Sequence, residues 1–474
     1  MYSSENYQIA SKLFIQGLGL IYFIAFFPFI FQIKGLIGKK GILPVQSYLM
    51  FLKSRLGPKA YYKMPTLFWI NSSDFTLLSV VYAGVFLSII LILGYYPIII
   101  LPLLYILYLS IIHGGQDFLS FGWEVFLMEI TINAFFLAMT EIPNPFIWIS
   151  INFLLFRFHF EAGIVKLLSN DPSWKNLTAM YFHYQTQPIA NTTAWFAHKL
   201  PMWFHKASCL LMFIIELIIP FGIFGNEEMR LIVFFCFVGL QVSIWLTGNF
   251  SYLNYLTVIF STILLSDHYL SSYFTTPASD SHPSIILNLS ISSAGIFLFT
   301  FQLISFWNHL ISIPLCEKFL NKLRPFFVVN RYGIFAVMTT KRYEIIIEGS
   351  NDGIEWKEYI FKHKASELNR RPRRISPYQP RLDWQAWFLP FRSYRHETWF
   401  QNFLVRLLQG EKSVTDLLRL NPFAKHPPKY IRAQIFDYTF TDKETKKSTG
   451  NWWKRVYVGA YSPTLCMKQE QIKE

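Results

Sequence analysis

The sequence predicts an α-helical polytopic membrane bundle followed by a β-rich, β-sandwich-like C-terminal soluble domain. Three observations carry that expectation. Of 474 residues, 53% are hydrophobic and only 15% charged, against about 25% charged in an ordinary soluble domain. The apolar residues are concentrated before about Trp307, and most of the charge follows it. From Phe326 onward the apolar residues alternate with the period of two that belongs to strands. The division that follows is a multi-span domain over residues 1–310, with a polar loop at 169–205, and a C-terminal domain over 311–474.

The elements can be justified in order. Residues 13–31 form an apolar run long enough to cross a bilayer, and the N-terminus ahead of them lacks the basic region and cleavage site of a removed signal peptide. Residues 34–63 carry seven basic side chains and no acidic one, which makes them a loop or interfacial segment. Residues 77–96 and 98–112, broken by Pro97, read as a tight helical hairpin. A fourth span covers 123–139 and a fifth 146–168. Three more cover 207–224, 229–246 and 252–265, and a last one covers 285–307, giving about nine. By the positive-inside rule the basic segment after the first span marks the cytoplasmic side, and an odd number of spans places the C-terminal domain on that same side.

The fifth span is the unusual one, because it carries Arg157, His159, Glu161 and Lys166. A bilayer tolerates such groups only when they are paired, wet or facing protein. At about 100° per residue, His159 and Lys166 fall within about 20° of each other on one face, while Arg157 and Glu161, four apart, lie on another. Arg157 with Glu161 reads as an intrahelical ion pair, and Glu129 in the preceding span needs a partner from another helix. His159 and Lys166 either bond to neighbouring helices or form a functional site, since an ammonium in apolar surroundings can become a base.

Beyond this helix, residues 169–205 are polar and aromatic, with His183 among many bonding groups, and suggest a loop folded back over the end of the bundle. Asn191-Thr192-Thr193 matches a glycosylation sequon. In the C-terminal domain, the isoleucines at 345–347, the turn Asn351-Asp352-Gly353 and residues 356–361 read as a β-hairpin. The arginine- and proline-rich run 368–388 reads as an ordered loop anchored by Trp384 and Trp387, with a structural arginine on Asp383. Amphipathic helices are expected over 398–409 and around 414–420, then strands near 431–441 and 452–458.

Several function classes lack support. A net charge of +14 is scattered over loops and the C-terminal domain without a nucleic-acid-binding motif, so membrane lipids are the expected partner and nucleic acid is not. The four cysteines show neither CxxC nor metal spacing, so no metal site is expected. There is no P-loop, dinucleotide-binding glycine pattern, HExxH or GxSxG, and no cofactor is identified. A transporter remains open, because buried charges also mark ion paths.

Ten stretches, taken together, resemble the lipase maturation factor family over nearly the whole chain: GLGLIYFIAF, LIGKKGILP, PTLFW, GQDFLSFGWEVFLME, YFHYQTQP, LTGNFSYLN, NRYGIFAVMTT, EIIIEGSNDGIEWKEY, RRPRRISPYQPRLDWQAWF and NPFAKHPPKYIRA. The resemblance implies a membrane-anchored factor assisting folding and assembly of secreted lipases or other client proteins. It places such a protein in the endoplasmic reticulum membrane of a eukaryote, with a lumenal C-terminal domain, or in the inner membrane of a bacterium. The lumenal placement conflicts with the charge count and takes precedence over it. Under this reading the surface between Asn330 and Phe391, with Asn351, Trp356, Arg381, Trp384 and Trp387, is the candidate client-binding surface.

The segment AGIVKL at 162–167, followed by Trp174, also looks like part of the vitamin K-dependent gamma-carboxylase. That shorter resemblance implies an alternative in which Lys166 is a base acting on a quinol or another lipid-soluble substrate, with His159 or His183 assisting and a quinone as cofactor.

Overall fold

The computed structural model describes residues 4–274, 283–311 and 313–467. Among the described residues, nine helices build the bundle: α1 (Gln8–Phe26), α2 (Asp74–Ile92), α3 (Pro97–Gly115), α4 (Gly122–Leu137), α5 (Pro145–Leu168), α6 (Met202–Leu217), α7 (Glu227–Thr247), α8 (Leu253–Ser261) and α9 (Ile285–Leu310). Each matches one expected span. Among the described residues six helices, however, and not nine, are long and apolar enough to cross a membrane: Ser4–Phe26, Asp74–Ile92, Pro97–Leu119, Met202–Phe224, Glu227–Thr247 and Ile285–Leu310. The other three fail for identifiable reasons. α4 has only 16 residues and α8 only 9. α5 is about 36 Å long at 1.5 Å per residue, yet carries four ionisable groups. All three lie inside the bundle, with α5 packed against α4, α6 and α9.

The expected hairpin is present. Leu93 ends α2, Gly94 takes φ +82°, and Pro97 opens α3, where its missing N–H costs nothing. Residues 169–205 fold over one end of the bundle as three short helices, Pro172–Lys175, Ala179–Thr186 and Thr192–His198. Asn191 is the N-cap of the last of these: its Oδ1 accepts from Ala194 N at 2.9 Å and its Nδ2 donates to Leu246 O at 3.1 Å. Only 1% exposed, it is closed to the glycosylation that its sequence pattern would otherwise permit.

The C-terminal domain is built on one antiparallel sheet of six strands, β1 (Tyr343–Ser350), β2 (Lys357–Phe361), β3 (Leu418–Leu420), β4 (Tyr430–Phe440), β5 (Trp453–Ala460) and β6 (Leu465–Cys466). Their order is β3-β2-β1-β4-β5, with β6 continuing along β4. The β1–β2 turn is where expected, Asp352 Oδ1 accepting from Ile354 N and Glu355 N at 2.8 and 2.9 Å while Gly353 adopts φ +77°. Two local expectations change. Residues around 414–420 split into a short helix, Lys412–Thr415, and strand β3, because Leu418 and Leu420 pair with Phe361 and Ile360. Trp384 belongs to a short helix, Arg381–Ala386, and not to a loop. The helix Thr398–Leu408 turns Trp399, Phe400, Phe403, Leu404 and Leu407 into the core beneath the sheet.

One continuous apolar cluster joins the two parts, running from Phe14 and Phe260 in the bundle to Ile347 and Leu404. Residues 324–340, expected to alternate as strands, form no strand and instead plug into the bundle. The Pro325 carbonyl lies 2.8 Å from His113 Nε2 and the Phe326 carbonyl accepts from the Tyr105 hydroxyl. The domain therefore sits at the end that carries the basic segment: Arg406 Nε donates to Gly41 O at 3.0 Å, and Gly35 packs directly on Ser413.

Candidate functional site

The ionisable groups of α5 are all turned toward protein. Arg157 and Glu161 form the expected pair, with Nε 3.0 Å from Oε1, and Arg157 Nη1 also reaches Glu129 Oε1 at 2.9 Å. The plug closes this cluster. Tyr332 donates its hydroxyl to Glu129 at 2.6 Å and its backbone N–H to Glu161 at 2.9 Å, and Arg157 Nη2 donates to Asn330 O at 2.5 Å. Every charge is fully buried and multiply bonded, the condition under which a buried ion pair is tolerated.

The opposite face of α5 borders a cavity of about 850 Å³ enclosed by α5, α6, α7, the start of α8, the loop 169–205 and the plug. His159, Lys166 and His183, singled out from the sequence, all line it, together with Trp174, Glu216, Gln241 and Asn254. Lys166 Nζ donates to Glu216 on α6 at 2.5 Å and lies 5.5 Å from the centre of the Trp174 ring. His159 stacks on Phe237 with ring centres 3.5 Å apart, its Nδ1 at 3.0 Å from Leu155 O. His183 stacks on Phe250 and meets Phe335 edge-on. Removal from water and the nearby Lys166 charge lower its pKa to about 4.

The five candidate client contacts separate into two sets. Arg381 and Trp384 are 1% and 4% exposed and point into the bundle. Arg381 pairs with Glu124, and not with Asp383, whose carboxylate instead accepts from the N–H groups of His363 and Lys364 at 2.6 and 2.9 Å. Trp384 packs edge-on against Phe121 and Trp123. Trp387 donates its ring N–H to Thr186 O at 2.8 Å. Only Asn351, at the tip of the β1–β2 turn, and Trp356, half-buried under Arg432, face outward.

Sequence reasoning missed the Glu124–Arg381 pair, although both residues lie in motifs that had been noted. Glu124 also accepts from the hydroxyls of Tyr108 and Tyr252 and from the ring N–H of Trp123. It missed Arg342 as well, which donates to the carbonyls of Gln185, Gln187 and Pro188 and so fixes the polar loop to β1. A buried acid and a buried base 257 positions apart leave no periodic signal by which to find each other.

Comparison with known proteins covers the same two regions. Residues 9–272 match the lipase maturation factor transmembrane domain and residues 328–463 the lipase maturation factor C-terminal domain. The chain is 31% identical to lipase maturation factor 1 of Bos taurus over 95% of its own length and 88% of that protein's. For lipase maturation factor 1 of Homo sapiens the identity is 31%, covering 96% and 87%. For lipase maturation factor 2 of Gallus gallus it is 28%, covering 96% and 81%. No solved structure matches. With both domain models matched in order and relatives aligned along almost the whole chain, this integral membrane protein belongs to the lipase maturation factor family.

Proposed function

We propose that this chain is a membrane-anchored maturation factor that assists the folding and assembly of secreted client proteins such as lipases. In a eukaryote it would work in the endoplasmic reticulum membrane, in a bacterium in the inner membrane. The observation that carries the reading beyond the family name is the β5 edge of the sheet. Strand β5 is the last in the order, and among the described residues its outer edge has no partner. Val456, Tyr457 and Val458 along it are 67%, 58% and 52% exposed. A free strand edge offers a row of backbone donors and acceptors to an extended segment of another chain. Incompletely assembled proteins expose such segments. Lys454 and Arg455 precede the apolar stretch, paired with Asp442 and Glu358.

The test is secretion of an obligate-dimer lipase from cells that depend on this chain for its activity. With Val456→Lys/Val458→Lys we expect about tenfold less active secreted lipase, the loss of about 1.4 kcal/mol of docking energy, at unchanged abundance of the variant. Undiminished secretion would overturn the assignment of the edge.

The alternative, a membrane enzyme using Lys166 as base on a quinol, draws on the cavity that Lys166, His159 and His183 share. It needs Lys166 as a free amine, whereas its Nζ donates to Glu216. We therefore rank it second.

A further inference from the structure

We propose that the cavity between α5, α6 and α7 is a binding site for a neutral lipid with a hydroxyl head, entering sideways from the bilayer. Its volume of about 850 Å³ lies in the range of about 300–1,000 Å³ typical of small-ligand sites. The mouth lies between two helices that are each apolar enough to cross a membrane. Leu211 on α6 and Phe235 on α7 line the cavity and are 57% and 63% exposed. A molecule entering there comes from among acyl chains.

The inner wall sets the chemistry of the head. The Leu155 carbonyl can only accept, so His159 Nδ1 carries the proton that bridges them. In the uncharged ring Nε2 is then an acceptor, and it is buried without a partner among the described residues. The Asn254 Oδ1, also on the wall, is a second buried acceptor without a donor, while its Nδ2 donates to Gln241 at 2.8 Å. Gln241 lies one turn beyond Phe237, on which His159 stacks. Lys166 has three N–H donors, of which Glu216 takes one. An uncharged hydroxyl head can donate to these bare acceptors and accept from the ammonium. An anionic head fits poorly, because Lys166 and Glu216 already neutralise each other and a further negative charge would be buried unpaired.

Gly239 provides a clean obstruction. It lines the cavity, and a Cβ built on it meets nothing within 4 Å. The experiment uses the full chain in phosphatidylcholine nanodiscs, labelled by a diazirine-bearing monoacylglycerol. We expect adducts on residues 208–216 and 235–247. We also expect unlabelled monoolein to compete about tenfold better than oleate or a hydrocarbon of equal length. Gly239→Phe should lower labelling about tenfold with the thermal midpoint unchanged. His159→Phe, which keeps the stacking on Phe237, should erase the preference for monoolein over its methyl ether. Oleate competing as well as monoolein overturns the proposal, and so does labelling that Gly239→Phe leaves intact in a folded variant. Should that variant not fold, the competition series on the native chain decides. No lipase takes part, so the outcome is independent of the maturation reading.

Discussion

Arg157 Nη1 on α5 lies 2.9 Å from Glu129 Oε1 on α4, with both side chains at zero exposure, and the same glutamate holds the hydroxyl and backbone of the plug through Tyr332 and Asn330. This pair is less a source of net stability than a lock. A buried ion pair is roughly neutral against an apolar replacement, but removing one partner strands the other.

Arg157→Met is therefore expected to cost about 3–5 kcal/mol, because it leaves two buried carboxylates, Glu129 and Glu161, without their cation. The loss should appear as a lower thermal midpoint in detergent and as new protease cleavage within 328–340. Glu161→Gln should cost less, since the Arg157–Glu129 contact remains.

Gly35 lies inside the helix Phe29–Ile37, where helix propensity alone favours alanine by about 1 kcal/mol. Here a Cβ would collide with Ser413 O and come within 2.8 Å of the Leu417 side chain. Gly35→Ala is accordingly expected to destabilise, by about 1–3 kcal/mol, and to loosen the C-terminal domain from the bundle. Gly122→Ala, with open space around the new methyl group, is the matched control. Chemical denaturation of both variants checks the sign.

Acidification should weaken the seat of the polar loop. His183 and His198 have pKa values lowered to about 4, chiefly by burial, against about 6.5 in an unfolded chain. Between those values the unfolded chain binds protons that the folded one refuses, so stability falls as pH drops from about 6.5 toward about 4. At pH 5 the loss is up to about 2 kcal/mol per histidine. Thermal midpoints at pH 7 and pH 5 should differ, and His183→Phe should shrink the difference.

Much of the architecture could be read from composition and period. All nine bundle helices, the Pro97 break, the β1–β2 turn and the Arg157–Glu161 pair follow from local rules, because each depends on residues within a few positions of one another. The six-helix subset was harder to foresee. α4 and α8 resemble spans in composition, and only their lengths and their places inside the bundle set them apart. Convergence of His159, Lys166 and His183 on one cavity was half legible: the helical face gave the first two, while His183 arrives through the fold of the loop. Arg381 and Trp384 look like surface groups in sequence because arginine and tryptophan favour interfaces. The interface they serve is internal, and Gln32, Phe121 and Glu124, which receive them, are far away in the chain.

The partnership of Glu124 with Arg381 also bears on how the protein is made. The fourth helix leaves the ribosome some 257 residues before its counter-charge exists, so through most of synthesis its carboxylate lacks the cation that offsets its burial. The native bundle of this protein is complete only once the chain has been made as far as Arg381 and that stretch has come back to meet it. A shortened chain that ends before Arg381 would leave Glu124 without its counter-charge, however well each of its hydrophobic segments had been inserted.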